Sequence, residues 1–372
     1  MKREIYPYIL KDLSRKMVFL SGPRQAGKTW LAKAIMPRFS HPLYLNWDNE
    51  QDRRVILGQG WSAAVDLLVL DEMHKMPLWK NHLKGIWDTR PEGMAVLITG
   101  SARLETFRRS GDSLAGRYFH HRLFPLTPAE LEIIGSAGDL ERFLLRGGFP
   151  EPWLAEDEAE AGRWRRFYLD GLIREDVLSF ENITRLKDMN LLLELLRNRV
   201  ASPISYQGLA EDLEVSPNTV KHYIEILEAL YIVFRVYPHH RSIARAIKQQ
   251  PKIYFFDIPL ANGEGQRLEN LVALSIHRHL CLQEDLDGVI RELRYLRTRD
   301  GKEVDFLITK DNHPELMLEV KRADRALSRG LLYFQEKYQM DGVQLVSDLR
   351  LEDHSQSLKV LRLYDYLQNL GT

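Results

Sequence analysis

Short apolar runs alternate with amphipathic stretches through the first third of the chain. Met17 to Leu20, Leu43 to Asn46, Asp66 to Leu70 and Ala95 to Thr99 predict strands, the first and last of them buried. His120 to Phe124 predicts one more. Between them lie stretches with helical spacing, the first from Thr29 to Ile35. Strand and helix in alternation over residues 1–135 predict an α/β domain. The pattern then changes. Thr127-Pro128-Ala129-Glu130 has the form of a capping box with proline at the first helical position, and it opens a helical region that runs to about residue 200. Gly147-Gly148 interrupts that region, and Asp157 to Val177 predicts a long amphipathic helix with Trp164, Phe167 and Tyr168 on its core face.

From residue 201 the pattern changes again. Tyr206 to Leu213 predicts a short helix, Ser216 an N-cap with Pro217 behind it, and Asn218 to Leu230 a second helix. Tyr231 to Tyr237 and Lys252 to Asp257 are β-like and enclose a basic loop with His239, His240, Arg241, Arg245 and Lys248. Helix, turn, helix and ribbon predict a winged helix-turn-helix over 201–257, with Asn218, Lys221 and His222 facing a DNA groove and the ribbon on phosphates. The last stretch, 258–372, has an α-β-β-β-α-β order. A helix opens at Arg267, and strands follow at Arg291 to Arg297, Glu303 to Ile308 and Leu316 to Val320. A helix from Ala326 to Tyr338 and a strand from Gly342 to Val346 complete it. Asp300-Gly301 is a hairpin signal between the first two strands.

Composition narrows the function classes. Lys+Arg and Asp+Glu are each 52, so global charge favours no nucleic acid and any basic surface is local. The single cysteine, Cys281, excludes an internal disulfide and a cysteine-built zinc site, which fits a reducing cytoplasm. The first residues, Met1 to Pro7, are charged and lack the apolar centre of a signal peptide. Apolar runs such as Val65 to Leu70 are too short to span a bilayer, so no membrane role is expected.

The most specific chemistry lies in Gly22-Pro23-Arg24-Gln25-Ala26-Gly27-Lys28-Thr29, between a predicted strand and a predicted helix. It matches G-x-x-x-x-G-K-[ST]. The glycines let successive N–H groups face one concavity, and the N-terminus of the helix that follows, with Trp30 in its first turn, adds partial positive charge. Lys28 is expected to reach the β- and γ-phosphates of ATP and the Thr29 hydroxyl to ligate Mg²⁺. Asp71 and Glu72 close an apolar strand: Asp71 would hold Mg²⁺ and Glu72 would polarise the attacking water. Ser101, after the strand at 95–99, is the candidate for touching the γ-phosphate. Among Arg108, Arg109 and Arg117, Arg117 is the candidate for stabilising transition-state charge.

A second constellation lies in the last stretch. Asp305 is followed by Glu319-Val320-Lys321, with Glu319 and Lys321 on one strand face. Asp305 and Glu319 would share Mg²⁺ or Mn²⁺, with Glu269 as an extra carboxylate, and Lys321 would orient or deprotonate water.

Taken with Thr99-Gly100-Ser101, Leu114-Ala115-Gly116-Arg117, Gly147 to Glu151, Ile173 to Val177 and Lys252 to Asp257, these residues resemble a family. It is a group of prokaryotic AAA-type P-loop ATPases of largely unknown function. The resemblance implies an AAA-type ATPase core over 1–135, a helical lid over 136–200, the winged helix over 201–257, and a C-terminal restriction-endonuclease-like domain over 258–372. Val304, not proline, precedes Asp305, so topology rather than the literal nuclease motif carries the last assignment. The function implied is an ATP-binding and hydrolysing protein acting on nucleic acid, with a C-terminal metal-dependent nuclease-like domain. The alternative is a nucleotide-switched regulator or assembly ATPase whose C-terminal domain only binds DNA or a partner protein. ATP and ADP, DNA and a second copy of the chain are the partners expected.

Overall fold

The computed structural model describes residues 3–100, 114–133, 140–177, 186–240, 250–298, 300–323, 326–354 and 357–371. The chain divides into two compact units, Met1–Pro125 with Ala229–Tyr231, and Leu126–Glu228 with Ile232–Thr372.

The first unit is a five-stranded parallel sheet in the order β2-β3-β4-β1-β5, made of β1 (Met17–Ser21), β2 (Pro42–Asn46), β3 (Leu67–Asp71), β4 (Ala95–Thr99) and β5 (Tyr118–Arg122). The three central strands β1, β3 and β4 are buried along their whole length, which is why they are continuous apolar runs in sequence. The edge strand β5 is only partly buried, and its register, Met17 opposite Tyr118, starts it two residues earlier than its apolar content predicts. Helices α1 (Tyr6–Leu13), α2 (Lys28–Ile35), α3 (Glu50–Gly58) and α4 (Trp79–Thr89) accompany the sheet. The Asn49 side chain caps α3 by accepting from the N–H groups of Gln51 and Asp52. One face of the sheet packs Phe19, Leu68, Leu70, Val96 and Ile98 against Trp79, Leu83 and Ile86 of α4. β1 and β3 end at the same edge of the sheet with β4 between them, and the C-terminal edge of parallel strands is the standard location for ligands in an open α/β sheet.

The second unit begins with α5 (Pro128–Ile133), α6 (Leu140–Arg146), α7 (Pro150–Leu154), α8 (Glu158–Gly171) and α9 (Leu186–Arg197). Asp157 caps α8, which runs on as a π-helical turn over Leu172–Val177. Tyr168 is buried and stacks on Trp164, but Phe167 is 70% exposed, so the aromatic stripe is core on one side only. Gly147 and Gly148 are required by close packing. A Cβ at Gly147 would lie 2.4 Å from Asp257 Oδ1, and one at Gly148 would lie 2.1 Å from the carbonyl oxygen of Leu126.

Helices α10 (Tyr206–Leu213) and α11 (Pro217–Ala229) stand where the sequence predicts them, and Ser216 Oγ accepts from the N–H of Thr219. The antiparallel strands β6 (Val233–Pro238) and β7 (Lys252–Phe255) do not form an isolated ribbon. Through the pairs Tyr237–Arg294 and Pro238–Tyr295, β6 joins the C-terminal strands. The result is a seven-stranded mixed sheet, β12-β11-β10-β9-β8-β6-β7. Its other members are β8 (Arg291–Arg297), β9 (Glu303–Lys310), β10 (His313–Lys321), β11 (Gly342–Val346) and β12 (Leu358–Arg362). Helix α12 (Glu264–Asp287) packs on this sheet, and α13 (Arg329–Tyr338) and α14 (Leu363–Gln368) complete the unit.

Candidate functional site

In the first unit the phosphate-binding loop is fixed from behind. Gly22 has φ 141°, and a Cβ there would lie 2.0 Å from the carbonyl oxygen of Leu123, so only glycine lets the loop leave β1 alongside the end of β5. Gly27 turns the chain into α2 at φ 98°. Buried Arg3 donates to the carbonyl oxygens of Ala26 (2.8 Å) and Phe124, joining the loop to the chain after β5. Nothing in the sequence around Arg3 pointed to this role. Ser21, the last residue of β1, has its hydroxyl 2.7 Å from His120 Nε2 and 3.4 Å from the Tyr231 hydroxyl. Pro23, Arg24, Gln25 and Ala26 form the loop itself, with Gln25 left-handed at φ 60°, and Trp30 in the first turn of α2 is 47% exposed.

Lys28 turns back over this loop. Its ammonium donates to the carbonyl oxygens of Gly22 (3.0 Å) and Pro23 (2.6 Å). Burial pushes its pKa down to about 8, against the opposing pull of Glu72 and Asp71. An anionic phosphate at this position would restore the ammonium's ordinary charge preference.

Asp71 collects donors from two neighbouring strands, the helix and the residue that follows it. One carboxylate oxygen accepts from the hydroxyls of Thr29 (2.8 Å) and Tyr44 (2.6 Å), and the other accepts from the Thr99 hydroxyl and the Glu72 N–H (3.0 Å). The sequence singled out Thr29 and Asp71; it gave no sign that Tyr44 and Thr99 share the carboxylate. Hydroxyl and carboxylate oxygens side by side are a hard donor set, and they fit Mg²⁺. Glu72 follows in a left-handed conformation, φ 58°, which carries its side chain out of the strand. Its carboxylate lies 3.5 Å from His74 Nε2 and 3.6 Å from Lys75 Nζ. Burial holds its pKa above the usual carboxylate range, with Lys75 and Lys28 opposing.

Arg117 is held by Asp88 of α4 in a two-pronged ion pair of 2.9 and 3.2 Å. Ser101, Arg108 and Arg109 lie outside the described residues, as do Arg241, Arg245 and Lys248 of the basic loop. In α11, Asn218 and Lys221 are exposed and His222 is half-buried.

In the second unit Asp305, Glu319, Lys321 and Glu269 do converge, from β9, β10 and α12. The N–H of Val320 donates to Asp305 Oδ2 (2.9 Å), and the N–H of Asp305 donates to Glu319 Oε2 (3.3 Å). Lys321 Nζ lies 2.8 Å from Glu319 Oε1. The sequence missed the centre of the cluster. Lys252, at the start of β7 and 1% exposed, places its ammonium 3.3 Å from Glu269, 2.6 Å from Glu303 and 3.8 Å from Asp305. The Tyr254 hydroxyl donates to Glu269 as well (2.7 Å). Burial and mutual repulsion raise the pKa of Glu269 and of Glu319, and burial does the same for Asp305. Burial opposes the charge of Lys252, but the surrounding carboxylates outweigh it and raise its pKa. The expected carboxylate site is therefore occupied by protein donors. Among the described residues no group of three or more His, Cys, Asp or Glu side chains is placed to hold a metal ion. The arrangement does not fit the expected Mg²⁺ or Mn²⁺.

Comparison with known proteins bears on the first unit. An AAA domain profile matches residues 14–132, and two domains of unknown function, DUF8612 and DUF4143, match residues 137–266 and 264–366. An uncharacterised protein of Methanocaldococcus jannaschii, MJ1544, is 25% identical over 339 residues, covering 82% of this chain and 74% of its own length. An uncharacterised protein of Mycobacterium tuberculosis, Rv2008c, is 25% identical over 331 residues, covering 85% and 72%. Among solved structures, the Walker-type ATPase PABY2304 of Pyrococcus abyssi is similar at 12% identity and a TM-score of 0.43, covering 69% of this chain and 93% of its own. The domain match and the parallel sheet with its phosphate-binding loop support a P-loop AAA-type ATPase domain that binds ATP. No helix among the described residues is long and apolar enough to cross a membrane.

Proposed function

We propose that the protein hydrolyses ATP at the Gly22–Thr29 loop and the Asp71–Glu72 strand end. The observation that carries this reading is the contact of Thr29 with Asp71, which brings the two halves of an ATPase site together at 2.8 Å. Lys28 exchanges its bonds to the Gly22 and Pro23 carbonyls for the β- and γ-phosphates, a better partner for an ammonium partly stripped of water. Thr29 and Asp71 would hold Mg²⁺, which would neutralise phosphate charge when bound. Tyr44 and Thr99 keep the Asp71 carboxylate oriented while Thr29 serves both it and the ion. Glu72, with its raised pKa, accepts a proton from the attacking water. Arg117 contributes to transition-state stabilisation only if its pair with Asp88 opens. The test is direct: phosphate release by the purified protein with ATP and Mg²⁺, against the same protein in EDTA. No release above the EDTA background refutes the reading.

For the second unit the rival to the nuclease reading is favoured by one observation, the Lys252 ammonium among the carboxylates. The proposed role is recognition of DNA or a protein partner, governed by the ATPase cycle. The exposed Asn218 and Lys221 of α11 supply polar and cationic groups for a nucleic-acid backbone. Filter binding of duplex and single-stranded DNA across a salt series, with and without ATP, separates DNA from a protein partner.

A further inference from the structure

The carboxylate cluster of the second unit is built around a cation that belongs to the chain. Glu303 and Asp305 lie two residues apart on β9, so their side chains share a sheet face, and Glu319 and Lys321 do the same on the neighbouring β10. Glu269 reaches the cluster from α12. Lys252 belongs to β7, the outermost strand of the sheet in the order given above, yet its side chain is among the most buried in the protein. Burying an ammonium is costly unless anions and hydrogen bonds surround it, and three carboxylates lie within 3.8 Å of this one.

Each carboxylate already has protein partners. Asp305 accepts from the Val320 N–H, Glu319 from the Asp305 N–H and Lys321, Glu269 from Tyr254 and Lys252, and Glu303 pairs with Lys252 and Arg297. A divalent ion coordinates oxygens at about 2.0–2.6 Å and would have to displace several of these donors and sit beside a fixed positive charge.

We infer that Lys252 takes the electrostatic place of a divalent metal in this cluster, so the C-terminal domain holds its carboxylates together without a metal and cleaves no phosphodiester through one. It follows that Lys252 is what excludes the ion. Replacing the lysine by an uncharged side chain of similar length leaves the carboxylates in need of a cation and opens a site for one.

The experiment is a Mn²⁺ titration followed by electron paramagnetic resonance, on full-length protein carrying Thr29→Ala to remove the metal ligand of the nucleotide loop. With Lys252 intact, no saturable Mn²⁺ site that depends on Asp305 is expected. Adding Lys252→Met should create one Mn²⁺ site per chain, and adding Asp305→Asn should remove it again. A stoichiometric, Asp305-dependent Mn²⁺ site in the lysine-intact protein overturns the inference. So does Mn²⁺-dependent DNA cleavage by that protein that Asp305→Asn abolishes. A folded Lys252→Met protein that gains no Mn²⁺ overturns it too. Should Lys252→Met fail to fold, the lysine-intact titration decides alone: absence of the Asp305-dependent site upholds the inference and its presence refutes it.

Discussion

The Thr29 hydroxyl donates a 2.8 Å hydrogen bond to Asp71 Oδ2 across 42 positions of sequence, from the first turn of α2 to the end of β3. The bond joins the loop that receives phosphate to the strand that ends in the acidic pair. It places the residues proposed to ligate the metal and to polarise water within one site.

Lys28→Ala removes the ammonium directed into that loop. A hydrogen bond from a charged donor contributes about 1.5–3 kcal/mol, so ATP affinity is expected to fall by ~10–100-fold. The loop backbone, fixed by Gly22 against β5 and by Arg3, should keep its shape. A fluorescent-nucleotide titration reads the loss, and an unchanged Kd places the phosphates elsewhere.

Glu72→Gln keeps the volume and removes the base. ATP affinity should stay within a few-fold of the native value, while kcat falls by about 10²–10⁴-fold, the range for loss of general base catalysis. The measurement is kcat at saturating ATP beside Kd from the same titration. Equal hydrolysis rates would reassign the proton acceptor.

Gly22→Ala and Gly116→Ala separate two reasons for glycine. Both positions have positive φ, 141° and 75°, but only at Gly22 would a Cβ meet a backbone oxygen, at 2.0 Å. Gly116→Ala should cost about 1 kcal/mol of stability from the backbone conformation alone. Gly22→Ala should cost about 3 kcal/mol or more and abolish nucleotide binding, because the loop must move off Leu123. Urea denaturation of the two variants provides the comparison.

Arg278 of α12 ion-pairs with Glu130 of α5 at 3.2 Å, both buried, and donates to the Thr127 hydroxyl. Arg278→Ala removes the cation beside a carboxylate that stays inside, and the expected cost is about 3–5 kcal/mol. The double change Arg278→Met with Glu130→Leu should recover most of that loss, since neither charge is then buried. A double variant no more stable than Arg278→Ala would show that lost packing, not charge, sets the cost.

His279 gives the protein an acid-sensitive stability. Burial, with Arg278 and Arg291 nearby, pushes its pKa down from 6.5 to about 4. As pH falls, the unfolded chain takes up this proton before the folded one does. The contribution of His279 is therefore fully present above about pH 6.5 and is lost progressively as the pH falls to about 4. His279→Gln should flatten that part of the stability profile, read as Tm against pH. An identical slope in both proteins would place the titrating group elsewhere.

Much of this was legible in the chain because it is local. The buried parallel strands β1, β3 and β4 are apolar up to their last residues, Ser21, Asp71 and Thr99. The loop from Gly22 to Thr29 carries its chemistry in consecutive residues, and Ser216 caps α11 three residues ahead of its partner amide. The convergence of Asp305, Glu319 and Lys321 also followed from strand periodicity and a short hairpin.

The sequence by itself thus determined the P-loop core, most of the order of helices and strands as far as β11, and the residues that meet across adjacent strands; the closing β12 and α14 lay outside its reading. Tertiary structure alone decided which distant groups share a carboxylate. Tyr44 and Thr99 arrive at Asp71 through the β2-β3-β4 order, which no local pattern encodes. It also decided that β6 and β7 continue the C-terminal sheet, which carries Lys252 into an acidic cluster whose other members lie beyond residue 257. A lysine at the start of a strand looks like a solvated charge in sequence. Its meaning here comes from the carboxylates that folding packs around it, because an ammonium is stable inside a protein only where opposite charge has been brought to it.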